Sequence, residues 1–286
     1  MEIINNKLAV FIMVHGRPEK MWTYNTLRKQ GYTGQIFLVA DNLDSTIDVY
    51  KKKYNEKLLV FDKKKASLNM DSGDNTGDLR STLFASNTIF DIAKEKGIKY
   101  FFIMCDDYTG FEHRHNGDLE YGGWLVKNLD KVFNALLKYY KTINAKTIAF
   151  AQSGDYMGGK ESTMAKRLKV KRKAMNTFLC STERPFKFLG RMNEDVTTYV
   201  NLGSKGDLFL TIPNISIYQK PTQQVQGGLT DLYLQYGTYV KSFFSVMYNP
   251  SSIKISELGY VNKRIHHKVS WNNAVPKILN EKYKKI

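Results

Sequence analysis

The chain has 286 residues, 42% hydrophobic and 24% charged, with 18 Tyr, 16 Phe and 3 Trp. That composition supports one large domain or two tightly joined ones and excludes global disorder; two Cys exclude a disulfide-stapled scaffold and a Cys-rich zinc module. Lys and Arg (43) outnumber Asp and Glu (27), a formal net charge of +16 that attracts polyanions. Nucleic acid is the first partner class this implies, an acidic membrane surface the second and phosphorylated small molecules the third. A merely Lys-rich composition is the plain alternative. No apolar run reaches the roughly 18 residues of a membrane-spanning helix, so no stable membrane association is expected. The N-terminus lacks a basic-then-apolar leader, and Cys105 and Cys180 read as reduced core thiols, so a cytoplasmic location is expected.

Lys7 to Val14 is an unbroken apolar run, the pattern of a strand buried on both faces. The turn His15-Gly16-Arg17-Pro18 ends it, and helical spacing runs from Glu19 to Gln30. A second strand, Gln35 to Ala40, stops at Asp41-Asn42. A helical stretch (Ser45 to Tyr54), a third strand (Lys57 to Phe61) and a polar loop (Ser67 to Asp78) follow. Leu79 to Lys96 is predicted helical with Gly97 as its stop, and the fourth strand, Lys99 to Cys105, ends in Asp106-Asp107. This alternation predicts βαβ units and a mostly parallel sheet with helices on both faces.

The second half is less regular. Helices are predicted over Trp124 to Thr142 and Thr230 to Ser245, and strands over Thr147 to Ala151, Ala174 to Ser181, Asp207 to Ile217 and Pro250 to Leu258. The segment from Lys160 to Lys173 is strongly basic, and a basic tail begins at Lys263. No linker separates the halves, so the chain is read as one domain over residues 1–286. Its nucleotide half covers about 1–123, and its acceptor half with the basic tail about 124–286.

Three polar clusters fall at predicted strand ends, where open α/β sheets bind ligands. Asp106-Asp107 is the most informative. Two adjacent carboxylates at the end of an apolar strand are costly to desolvate unless a cation joins them, and oxygen ligands suit Mg²⁺ or Mn²⁺; a strand-end turn is the competing reading. Arg17 can pair bidentately with phosphate, beside His15, and Asp41 with Asn42 can accept from a base or ribose. Each could equally be a surface ion pair or a cap. Neither glycine-rich phosphate motif occurs, which disfavours a dinucleotide oxidoreductase or a P-loop kinase, and no G-x-S-x-G elbow occurs. Late in the chain, His266 or His267 could complete a cation site, and Lys268 could touch a diphosphate. Glu194-Asp195 precedes a helix start, where a carboxylate either complements the dipole or serves as a general base. Lys169, Lys171, Arg172 and Lys173 are candidate contacts to nucleic-acid phosphates, or a solvated loop. The Gln-rich stretch from Gln219 to Gly228 could read base edges or sugars, or simply connect.

Together these residues resemble the GT-A glycosyltransferases, with Asp106-Asp107 matching the acidic metal motif as a D-D variant, Glu194-Asp195 the acceptor-side acids, and His266 or His267 the late histidine. Arg17 and Asp41 match nucleotide-contacting positions by location only. The stretch Gly190 to Asp207, with Ile217 to Gln224 and Gly227 to Asp231, is more similar to the phage DNA-modifying, TET-associated glycosyltransferases. The resemblance spans about residues 7–275. It implies a GT-A fold with an acceptor-side extension, and metal-dependent transfer of a sugar from a nucleotide-sugar, a UDP-sugar first, to a 5-hydroxymethyl-pyrimidine such as 5-hydroxymethylcytosine in DNA. It further implies Asp107 and a late His on the metal, Asp106 beside it, Asp195 as base with Glu194 orienting, an inverting outcome, and, for a bacteriophage protein, the infected host's cytoplasm. Two rivals remain: a glycosyltransferase with a polysaccharide, lipid or protein acceptor, and a non-enzymatic DNA-binding protein. A nuclease using the paired acids is a weaker third.

Overall fold

In the computed structural model, residues 8–166, 170–220, 229–259 and 263–276 are described. In chain order the elements begin β1 (Leu8–Met13), α1 (Trp22–Lys29), β2 (Gln35–Asp41), α2 (Ile47–Tyr54), β3 (Leu58–Phe61), α3 (Lys63–Ser67), α4 (Leu83–Glu95) and β4 (Tyr100–Met104). They continue β5 (Tyr108–His115), β6 (Tyr121–Leu125), α5 (Leu129–Thr142), β7 (Ala145–Gln152), α6 (Thr163–Lys166), β8 (Phe178–Ser181), α7 (Glu194–Ser204) and β9 (Leu208–Gln219). Last come α8 (Thr230–Tyr236), α9 (Val240–Tyr248), β10 (Ile253–Leu258) and β11 (Arg264–Val269).

Nine strands form one sheet in the order β3-β2-β1-β4-β8-β7-β9-β5-β6. The ladders β3-β2, β2-β1, β1-β4 and β7-β9 are parallel. Antiparallel pairing of β8 with β4 and β7, and of β5 with β9 and β6, means that only β8 and β5 run against the other seven described strands. Strands from both halves of the chain therefore interleave in one sheet. Alternation along β1 explains how both faces are covered. Leu8, Val10 and Ile12 join a cluster containing Leu27 of α1, Tyr50 of α2 and Phe133 of α5, whereas Ala9 and Phe11 join one containing Phe84 and Ile89 of α4 and Val196 of α7.

The predicted elements of the first half appear with shifted ends. α4 begins four residues later than predicted because Ser81 Oγ accepts from the Leu83 amide and its own hydroxyl is spent on the Arg191 carbonyl. The sequence reading missed the β5–β6 hairpin, and Trp124, predicted to open a helix, lies in β6. The helix predicted over Thr230 to Ser245 is broken into α8 and α9 at Gly237, whose φ of 83° ends the first helix. The basic tail beginning at Lys263 folds back as β11, antiparallel to β10 in a separate two-stranded sheet.

Candidate active site

A cleft of about 610 Å³ opens at one edge of the large sheet. Its position follows from strand direction. The carboxyl ends of β1, β2, β4, β7 and β9 all reach this edge, and the reversed β8 begins here, so Arg17, Asp41, Asp106, Gln152, Gln219 and Asn176 converge on it. Glu194 and Asp195 enter from the start of α7, Lys241 from α9. Of the sequence candidates, His15, Arg17, Asp41, Asp106, Asp107, Glu194 and Asp195 line one cavity.

Asp106 and Asp107 sit on a tightly held turn. The Thr23 hydroxyl donates to the Cys105 carbonyl at 2.6 Å and accepts from the Tyr108 amide at 2.9 Å, bridging the turn, while the Thr23 amide donates to the Asp106 carbonyl at 3.2 Å. Asp106 Oδ1 accepts from Arg17 Nη2 at 2.6 Å. Three buried polar atoms at this spot have no partner among the described residues: Asp106 Oδ2, Asp107 Oδ1 and Arg17 Nε. Burial pushes both carboxyls up, Asp106 to about 7 against the pull of Arg17. Desolvated acceptors of this kind are costly without a partner. A divalent cation supplies one, and hard oxygen ligands are what Mg²⁺ and Mn²⁺ prefer.

The expected third protein ligand is not brought to this turn. No group of three His, Cys, Asp or Glu able to hold a metal forms among the described residues. His266 and His267 lie in β11 and do not line the cleft; pairing of β11 with β10 carries them to a separate sheet, where His267 Nδ1 lies 3.4 Å from Asn193 Nδ2. Burial and neighbouring cations lower both, His267 to about 4. A two-carboxylate site completed by donor phosphates and water is the pattern in which Mg²⁺ is commonly held.

Near the ends of β1 and β2, burial opposes ionisation of Asp41, but hydrogen bonds from His15 (3.2 Å) and Lys63 (3.0 Å) outweigh it and bring its carboxyl down to about 2. A depressed carboxylate stabilises the fold above its unfolded value near 4, and that stabilisation is lost as pH falls through about 2; the size is about 2–3 kcal/mol. Asp41→Asn should therefore unfold more easily than the unaltered chain in urea at pH 7, with the gap narrowing at pH 3; a gap that stays constant removes the ion-pair explanation. Asn42 is exposed and does not line the cleft, because its Oδ1 caps the Lys63 amide at 3.1 Å.

Glu194 and Asp195 occupy the first turn of α7, entered through Asn193 in the left-handed conformation (φ 55°). Glu194 accepts from the Thr82 hydroxyl. Burial raises both carboxyls, and for Glu194 the neighbouring Asp195 charge adds to the effect. Asp195 Oδ1 accepts from the Val196 amide at 2.7 Å.

Lys171, Arg172 and Lys173 of the basic segment do not line the cleft. Lys173 is paired with Asp155, and Lys171 bridges Thr211 through its backbone. Arg172 is exposed, Lys169 lies outside the described residues together with 221–228 of the Gln-rich stretch, and Lys268 is exposed on β11, outside the cleft lining. Sequence reading missed Lys63, Arg80, Asn176 and Lys241, all in the cleft wall, which Gln219 of the Gln-rich stretch also lines. Lys63 had the same signal as its neighbours, a polar residue just past a strand. Asn176 adopts φ 54° and the following Thr177 φ 47°, a rare conformation for non-glycine residues that turns the chain into β8 and has no sequence signature.

The profile of the TET-Associated Glycosyltransferase family matches residues 8–228. The chain belongs to that family. This glycosyltransferase has no match among curated proteins by sequence. Among solved structures it is similar to glucosyl-3-phosphoglycerate synthase from Mycobacterium tuberculosis in complex with Mn²⁺, UDP and phosphoglyceric acid (7% identity, TM-score 0.44, 92% of this chain and 86% of that one). It is also similar to the mannosyltransferase PcManGT from Pyrobaculum calidifontis in complex with GDP-Man and Mn²⁺ (12% identity, TM-score 0.47, 83% of this chain and 64% of that one). No helix among its described residues is long and apolar enough to cross a membrane.

Proposed function

We propose that this glycosyltransferase acts as a single catalytic unit that transfers a sugar from a nucleotide-sugar, a UDP-sugar first, to the hydroxymethyl group of a 5-hydroxymethyl-pyrimidine in DNA, with inversion. The observation that carries the reading is a trio of buried atoms without a partner among the described residues, Asp106 Oδ2, Asp107 Oδ1 and Arg17 Nε, on residues that line one cleft with Glu194 and Asp195. The family supports the DNA acceptor, and the net charge of +16 agrees with it.

In this reading Asp107, with Asp106 beside it, would hold a divalent cation, which would supply positive charge next to the departing diphosphate. Arg17 donates from Nε to a donor phosphate oxygen while its Nη2 stays on Asp106. Lys63 and His15 keep Asp41 ionised, so that its carboxylate can accept from the nucleoside. Asp195 accepts the proton of the acceptor hydroxyl as the new O–C1 bond forms and the C1–O bond to the diphosphate breaks; Glu194, anchored by Thr82, orients it. Because the sugar site is recessed, the acceptor base leaves the stack to reach it.

The test is incubation of the protein with Mn²⁺ and a panel of UDP- and GDP-sugars on DNA carrying 5-hydroxymethylcytosine, 5-hydroxymethyluracil or neither, read by mass spectrometry of digested nucleosides. A hexose or pentose mass on the hydroxymethylated nucleoside alone is expected. Transfer to a polysaccharide, lipid or protein acceptor with none to DNA would overturn the acceptor assignment.

A further inference from the structure

Three cations of the β10–β11 hairpin, Lys254, Arg264 and Lys268, fall on one of its faces. The antiparallel register places Lys254 opposite Lys268, Ser256 opposite His266 and Leu258 opposite Arg264. Side chains alternate along a strand, so these six share one face. Ile253 and Val269, on the other face, pack into the core beside α4 and α7. Lys254, Arg264 and Lys268 are exposed. The hairpin's carboxylate, Glu257, belongs to the opposite face and pairs with Lys263 at 3.0 Å. No ion pair holds Lys254, Arg264, Lys268 or Lys241 among the described residues.

Like charges placed directly opposite each other weaken a ladder, and the Lys254–Lys268 pair is such a case on a two-stranded sheet with little pairing to spare. An anion relieves it. α9 packs against both strands of the hairpin, with Val246 beside Ile253 and Val269 on the face opposite these cations. Lys241 of α9 lines the cleft together with Glu194 and Asp195, and its charge is felt by these two acids and by Arg264. From Arg264 to Lys268 the strand advances roughly 13 Å, the axial length of about four nucleotides of one DNA strand and longer than a diphosphate.

We propose that Lys254, Arg264 and Lys268 form the track on which the sugar-phosphate backbone of the acceptor DNA lies. The inference rests on the reading of DNA as acceptor. It places the backbone contacts on the hairpin rather than on the segment ending at Lys173, where Lys166 and Lys173 are already paired with Glu161 and Asp155.

The experiment compares the unaltered protein, the triple variant Lys254→Gln/Arg264→Gln/Lys268→Gln, and a control with equal charge loss elsewhere, Lys94→Gln/Lys131→Gln/Lys138→Gln, whose three residues are exposed on α4 and α5. DNA affinity is measured against salt concentration, alongside UDP affinity with Mn²⁺. The hairpin variant should bind DNA at least tenfold more weakly at low salt, and its log–log salt slope should be shallower by roughly 2 to 3, about 0.9 per lost phosphate contact. Its UDP affinity should be unchanged, which also reports that it is folded, and the control variant should keep the original slope. An unchanged slope and affinity in the hairpin variant, while the unaltered protein still modifies DNA, overturns the track and leaves the acceptor reading standing. No DNA affinity in the unaltered protein overturns both. Loss of binding to phosphatidylserine vesicles with an unchanged DNA slope would assign the face to a lipid surface and overturn the track as well.

Discussion

Asp107→Asn should lower sugar transfer by roughly 10²–10³-fold and remove the Mn²⁺-dependent part of UDP binding. The substitution keeps the size of the side chain and deletes its charge. Asp107 is the cleaner of the two carboxylates to test because Asp106 also carries a structural load: its Oδ1 holds Arg17 at 2.6 Å, and removing it would strand a largely buried guanidinium. Among the described residues Asp107 forms no such ion pair, and its Oδ1 is a buried acceptor without a partner. Titration calorimetry of UDP with and without Mn²⁺, on the unaltered chain and the variant, separates the possibilities. If Mn²⁺ strengthens UDP binding equally in both, Asp107 is not a metal ligand and the donor half of the mechanism fails.

Asp195→Asn should reduce kcat by roughly 10²–10⁴-fold with donor binding nearly intact, the range a positioned general base supplies. Burial raises the Asp195 carboxyl above the usual carboxylate range. A base works only when deprotonated, so the transfer rate should rise with pH through that raised value, and the rising limb should vanish in Asp195→Asn. Glu194→Gln should cost less, because the Glu194 side chain is held by Thr82 and acts through its neighbour. Proton NMR of the freshly formed glycoside gives the anomeric configuration. Retained configuration together with a fully active Asp195→Asn protein would replace base-assisted inversion with a front-side mechanism.

The strand-end acids were legible because their signal is local. A continuous apolar run such as Phe101 to Met104 must be buried, and the polar residues immediately after it must then surface at the strand's end. Parallel neighbours bring such ends to one edge, so Arg17, Asp41 and Asp106 could be grouped before their distances were known. The same reasoning extends to Lys63 after β3. It does not extend to His266 and His267, whose chemistry suited a cation but whose position depends on which strand β11 pairs with.

The amino-acid order by itself determined the α/β alternation, the residues that stop the early strands, the pair of acids at the start of α7 and the surplus of positive charge. Each is written in short-range patterns of apolar and polar residues, which act through burial and local backbone preference. Only the tertiary structure decided the reversed course of β8 and β5, the break between α8 and α9, the left-handed turn at Asn176 and Thr177, the pairing of Lys173 with Asp155, and the cationic face of the β10–β11 hairpin. Those features arise from contacts between residues distant in the chain. Their energies depend on which partners long-range packing brings together, and no local spacing records that choice.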